Sequence, residues 1–134
     1  MSELVFDLTL ASAINSRMSP FPEQYELIGF FECEPALADA EVPWAYNSLR
    51  FDTMRGANHL VCEIEPGYEV VRLEWARDGV EIVRLEMNGV HGLIVETVGD
   101  RETLIGTFLD PVIDEFRLQL QPSVHLRWGT DIQA

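Results

Sequence analysis

Four apolar runs follow one another through the middle of this chain, and the links between them are turn chemistry. Leu60–Ile64, Tyr68–Ala76, Val80–Met87 and Val90–Val98 are rich in β-branched and aliphatic residues. Runs of that kind, bounded by Gly, Pro, Asn and Asp, read as strands. Pro66-Gly67 suits a type II turn, Arg77-Asp78-Gly79 a three-residue hairpin, and Asn88-Gly89 is the strongest two-residue hairpin signal. Links this short join antiparallel neighbours, because a parallel crossover needs a dozen residues or more. The expected fold class is therefore α+β and mainly β: an antiparallel, meander-type sheet with one or two short helices packed on it.

Register follows from the pattern. A three-residue loop at Arg77-Asp78-Gly79 sets Leu73 against Val83 and Val71 against Leu85, whereas a two-residue loop sets Leu73 against Arg84. A one-residue slip moves every side chain to the other face, which favours the longer loop. The type II turn sets Cys62 against Val71 and Leu60 against Leu73, so one apolar face runs across all four strands. The Asn88-Gly89 turn sets His91 against Glu86.

The flanks are less regular. Leu4–Leu10 alternates like a strand, although Leu4, Leu8 and Ala11 also fit a helix face. Tyr25–Cys33 reads as a strand, Glu34–Pro43 as a loop or single helical turn, and Ser48–Thr53 as a short strand. Asp100 is a candidate N-cap for a helix carrying Leu104, Ile105, Phe108 and Leu109, with Gly106 weakening it. Asp110-Pro111 can start a second turn. The chain closes with strands at Glu115–Gln121 and Val124–Gly129. A turn at Gln121-Pro122-Ser123 pairs Leu120 with Val124, Leu118 with Leu126 and Phe116 with Trp128. At 134 residues with 47 % hydrophobic content, a single domain with a real core is expected.

Charge sets the class of partner. The chain has 23 acidic residues and nine basic ones, a net charge of −14, and every basic residue is arginine. From Met18 to Leu49 the only charged residues are acids: Glu23, Glu26, Glu32, Glu34, Asp39 and Glu41. Such a chain repels nucleic acid and anionic membranes and attracts basic proteins. The acids of the central strands, Glu63, Glu65, Glu69, Glu74, Glu81 and Glu86, are expected to form a salt-bridge lattice with Arg72, Arg77 and Arg84.

Residues with chemical potential are few. His59 and Cys62 are three apart, which puts them on opposite faces of a strand, and zinc needs three or four ligands. No metal and no cofactor is expected. Cys33 and Cys62 lie in apolar runs and read as free thiols of a reducing compartment, and the acidic N-terminus does not look like a secretory signal. A soluble, cytoplasmic protein is expected. No nucleophile elbow, zinc-protease helix, phosphate loop or dinucleotide fingerprint is present. Pro43-Trp44-Ala45-Tyr46 lies in a proline-bounded loop beside Asp39 and Glu41, where loop aromatics act either as interface anchors or, for Trp44, as a lid folded onto the core.

These features point to a non-catalytic acidic protein-binding module. Its most concrete form is an immunity-type inhibitor of a basic, nuclease-like bacterial toxin, with Glu32, Glu34, Asp39, Glu41, Trp44 and Tyr46 as the partner-binding residues. The alternative is a small-ligand-binding or enzymatic domain with an apolar pocket under a curved sheet, using His91, Glu86 or His125.

Overall fold

The computed structural model describes residues 18–109, 115–128 and 130–133. The expectations for Leu4–Leu10 and for Asp110-Pro111 lie outside the described residues. The fold is α+β and mainly β, and the described residues form antiparallel strands, one α-helix and two 3-10 turns. The strands form two sheets rather than one. The first is β1 (Ala36–Leu37), β2 (Leu49–Arg55), β3 (Asn58–Glu65), β4 (Val70–Arg77) and β5 (Val80–Asn88), in that spatial order. The second is β6 (Val90–Val98), β7 (Arg101–Phe108), β8 (Glu115–Gln121), β9 (His125–Trp128) and β10 (Thr130–Gln133), also in chain order.

The boundary between the sheets falls at Asn88-Gly89, where a hairpin was expected. Asn88 ends β5 by pairing with Val70, Gly89 takes a positive φ of 77°, and the chain then leaves for the second sheet. The Val90 amide donates to the Glu69 carbonyl at 2.9 Å, which fastens the crossing to the start of β4. An Asn-Gly pair marks a backbone that needs φ > 0, and a sheet switch uses that freedom as readily as a hairpin does. His91 accordingly does not face Glu86. Its Nδ1 lies 3.6 Å from a Glu69 carboxylate oxygen, while Glu86 meets Arg72 at 3.3 Å.

Three further expectations are corrected. Asp78-Gly79 forms a two-residue turn with φ of 51° and 80°, and a bulge at Trp75/Ala76 restores apolar pairing, so that Leu73 faces Leu85. The bulge, not a longer loop, solves the register problem. Pro66–Tyr68 is a 3-10 turn followed by Glu69 in the left-handed region, which lengthens the link and sets Cys62 against Leu73 and Leu60 against Trp75. Arg101–Phe108, expected as a helix, is β7. Its alternation wins because Leu104 and Gly106 sit over the core facing β8, where Gly106 lies opposite Phe116. The β8–β9 register is as the sequence predicts, with Leu118 opposite Leu126.

Tyr25–Cys33, read as a strand, is mostly the helix α1 (Gln24–Phe31). Leu27, Phe30 and Phe31 are its buried residues, a spacing of three and four that forms one helical face, while Tyr25 is exposed. The Glu23 amide donates to the Glu26 carboxylate at 2.9 Å, the reciprocal contact of a capping box. At the other end Glu32 is left-handed (φ 59°), and the last carbonyls are met by side chains of β2. Thr53 Oγ1 donates to the Phe31 carbonyl at 2.8 Å and an Arg55 Nη to the Phe30 carbonyl at 3.0 Å.

One hydrophobic core holds the helix and the inner faces of both sheets, including Phe51, Trp75, Leu93, Phe116 and Leu126. Phe31 stacks on Phe51 with centroids 4.4 Å apart. Among the described residues no helix is long and apolar enough to cross a membrane.

Candidate partner-binding surface

The stretch from Glu34 to Ser48 is tied to β2 through β1 and is braced further by one side chain. Asn47 is buried, and its Nδ2 donates to the Asp39 carbonyl at 2.6 Å and the Val42 carbonyl at 2.9 Å. Its Oδ1 accepts from the Asp39 and Ser48 amides at 3.3 and 2.8 Å. Four hydrogen bonds saturate that amide and fix a loop that has little regular structure of its own. Asp39 Oδ1 accepts from the Glu41 amide at 3.0 Å, so the two acids are presented together and both are exposed.

Trp44 begins the 3-10 turn Trp44–Tyr46 and is half-buried, packing edge-on to Phe51 at 6.3 Å. That packing is the one expected of a lid on the core. Tyr46, 49 % exposed, is the loop aromatic that faces outward. The turn packs against the second 3-10 turn, Pro66–Tyr68. This brings up Tyr68, 75 % exposed, which sequence reasoning assigned to a strand. The Pro-Gly pair just before it is the signal that could have placed Tyr68 in a turn.

The six residues named from sequence are not one cluster. Asp39, Glu41, Trp44 and Tyr46 share a loop, and Glu34 is exposed where that loop begins. Glu32 stands elsewhere. It accepts from Gln121 Nε2 at 2.7 Å and lies 3.9 Å from Arg55, which ends β2. The start of β2, beside the loop, is about 20 Å from its end at ~3.3 Å per residue.

The outer face of the first sheet carries the expected ion-pair lattice. Arg72 reaches Glu65 at 2.8 Å, Glu86 at 3.3 Å and Glu63 at 3.6 Å, and Arg84 reaches Glu81 at 2.8 Å and Glu74 at 3.2 Å. Arg50 joins through Glu63 at 3.5 Å, and His59 meets Asp52 at 2.6 Å. The hydrogen bond to Glu65 holds the Arg72 guanidinium above its ordinary pKa, and that to Glu81 does the same for Arg84. Arg77, expected in the lattice, instead lines a groove with Glu32 and Arg55. Exposed pairs contribute little each, about 0–1 kcal/mol. Their effect here is on charge: Arg50, Arg72 and Arg84 offset part of the charge of the five glutamates they meet. Among the described residues Glu34, Asp39 and Glu41 have no such partner, so uncompensated negative charge collects on the loop.

The outer face of the second sheet differs. Glu96, Val98, Arg101, Thr103, Arg117, Gln119, His125 and Arg127 line a depression of about 180 Å³. Arg117 is held by Glu115 at 2.8 Å and Glu96 at 2.9 Å, and the bond to Glu115 raises its pKa above the ordinary value. The three histidines do not converge: His59 is on the first sheet, His91 at the crossing and His125 in this depression.

No family model and no curated protein matches the chain. Among solved structures, the fold is shared with a chain of a contact-dependent growth inhibition toxin–immunity protein complex from Klebsiella pneumoniae 342. The TM-score is 0.72 at 12 % identity, over 87 % of this chain and 99 % of that one.

Proposed function

We propose that this chain is an immunity-type inhibitor: a non-catalytic, acidic module that binds a bacterial toxin through a basic, nuclease-like surface. The observation that carries it is the exposed, unneutralised pair Asp39 and Glu41 beside Tyr46 and Tyr68 on a loop held rigid by Asn47. Acids around aromatic anchors are what a basic partner surface selects, the acids through encounter rate and the aromatics through buried contact. The shared fold with a chain of a toxin–immunity complex supports the reading. So does the net charge of −14, which disfavours a nucleic-acid substrate for this chain itself and so argues for the inhibitor over the toxin. Free Cys33 and Cys62 suit a cytoplasmic site of action.

Expression alone and in combination tests this. The chain expressed by itself is expected to leave bacterial growth unchanged. Co-expressed with its cognate growth-inhibition toxin, it is expected to restore growth and co-purify in a one-to-one complex. Growth arrest by the chain alone, or a cognate pair in which it neither binds nor protects, overturns the reading.

A further inference from the structure

Two exposed tyrosines flank one contact between turns. A Cβ at Gly67 would fall 3.7 Å from the Ala45 carbonyl oxygen, so the two 3-10 turns touch there. Tyr46 and Tyr68 are the next residue in each turn, 49 % and 75 % exposed. Chain geometry then keeps their Cα atoms within about 12 Å of each other, close enough for both side chains to meet one small group. Among the described residues neither ring stacks on another ring or meets a cation. The arginine four residues beyond each tyrosine is committed elsewhere: Arg50 meets Glu63 at 3.5 Å, and Arg72 meets Glu65 at 2.8 Å. Carboxylates are closer at hand. Asn47, adjoining Tyr46, donates to the Asp39 carbonyl at 2.6 Å, which brings Asp39 and Glu41 to the same end of the loop as that turn. Asp39 Oδ1 accepts from the Glu41 amide, while the Glu41 carboxylate has no partner among the described residues.

We infer that this twin-turn surface receives one arginine side chain of the protein partner, with the guanidinium face on the tyrosine rings and its N–H edge donating to the loop carboxylates. Rings carry negative potential on their faces and draw a cation within about 6 Å. A guanidinium suits the place better than an ammonium. It is planar and weakly hydrated, it stacks on aromatic faces, and its edge fits a carboxylate. An ammonium keeps its water more tightly and has no face to stack. On the immunity reading, which this deepens, the acids attract any basic surface, whereas the tyrosine pair tells an arginine from a lysine at one point of it. Specificity of that kind is a difference of affinities, not a gain in overall attraction.

The test uses the free protein, so its failure is separable from failure of the immunity reading, which co-expression decides. Isotope-labelled protein is titrated with N-acetyl-arginine methylamide. Parallel titrations use N-acetyl-lysine methylamide and sodium chloride at equal ionic strength. Saturable shifts of the ring protons of both Tyr46 and Tyr68 are expected with the arginine compound, at an affinity at least about threefold above that for the lysine compound. Tyr46→Leu and Tyr68→Leu are each expected to weaken it about two- to fivefold, the range for an exposed cation–π contact. Tyr46→Phe and Tyr68→Phe keep the ring and should keep the affinity, which leaves the test valid even where a leucine variant fails to fold. Equal affinity for the arginine and lysine compounds overturns the assignment to a guanidinium. Shifts no larger than those of chloride, shifts scattered over the Arg72–Arg84 lattice, a response at one tyrosine alone, or loss of binding in the phenylalanine variants overturns the site itself.

Discussion

Single residues here are explained by what they must leave room for or keep dry. Gly106 is such a position. A Cβ built there falls 2.0 Å from the Phe116 ring, which is 1 % exposed and sits on the opposite strand. Gly106→Ala is therefore expected to lower stability by about 1–3 kcal/mol, the range for overpacking a closed core. A denaturation midpoint equal to that of the parent protein would contradict it. In sequence, Gly106 looked like a flaw in a helix; it is the space that a phenylalanine on the neighbouring strand fills, and no local pattern carries that information. Cys62 shows the second kind of constraint. Burial, with a smaller contribution from the Glu63 charge, raises its pKa from 9.0 to about 12. The folded thiol stays protonated where the unfolded one ionises, so the associated stability is complete below pH 9.0 and is lost as pH rises from there towards about 12. In Cys62→Ala, whose baseline stability is lower, this part of the alkaline decline is expected to disappear. An unchanged pH slope would show that the thiol is not buried as described.

At the scale of elements, legibility followed the range of the interaction that fixes each one. β8 and β9 could be paired correctly because Gln121-Pro122-Ser123 and the alternation of Leu118, Leu120, Val124 and Leu126 are all local. The central strands were visible for the same reason. The break between the sheets was not, since Asn88-Gly89 has the same turn chemistry whether the chain folds back or crosses over, and only the core decides. The helix α1 was hidden by its aromatic content, which resembles a strand until Leu27, Phe30 and Phe31 are counted at helical spacing. Its ends depend on long-range contacts as well. Arg55 donates to the Phe30 carbonyl and to Thr53 Oγ1, which itself donates to the Phe31 carbonyl. A cation at a helix C-terminus also complements the macrodipole. Arg55→Ala removes both and is expected to cost about 1–3 kcal/mol, the range for stranding a buried polar partner. Hydrogen exchange should locate the loss at α1 and β2; protection unchanged there would sink the claim that Arg55 fastens the helix.

On the scale of the whole molecule the question is where a charge of −14 acts. The six binding residues expected from sequence are four acids and two aromatics, and placing the acids in space divides them by role. On the first sheet the acids are spent on Arg50, Arg72 and Arg84. Glu32 is engaged by Gln121 and Arg55 at the far end of β2. What remains free on the loop is Glu34, Asp39 and Glu41, and these should govern encounter with a basic partner. The triple change Glu34→Gln, Asp39→Asn and Glu41→Gln is therefore expected to slow association several-fold at low salt. Asparagine keeps an oxygen for the Glu41 amide, so the loop survives the change. The difference should shrink towards physiological ionic strength, where the Debye length is about 8 Å. Dissociation should move less, because rim charges act mainly on the encounter. Glu32→Gln should instead leave the association rate alone, since its carboxylate is committed within the fold, and Tyr46→Ala should speed dissociation as loss of a contact anchor does. Stopped-flow mixing with the partner at two salt concentrations measures all of these. An association rate indifferent both to salt and to the triple change would remove the electrostatic basis of the immunity reading, whatever the loop does to stability.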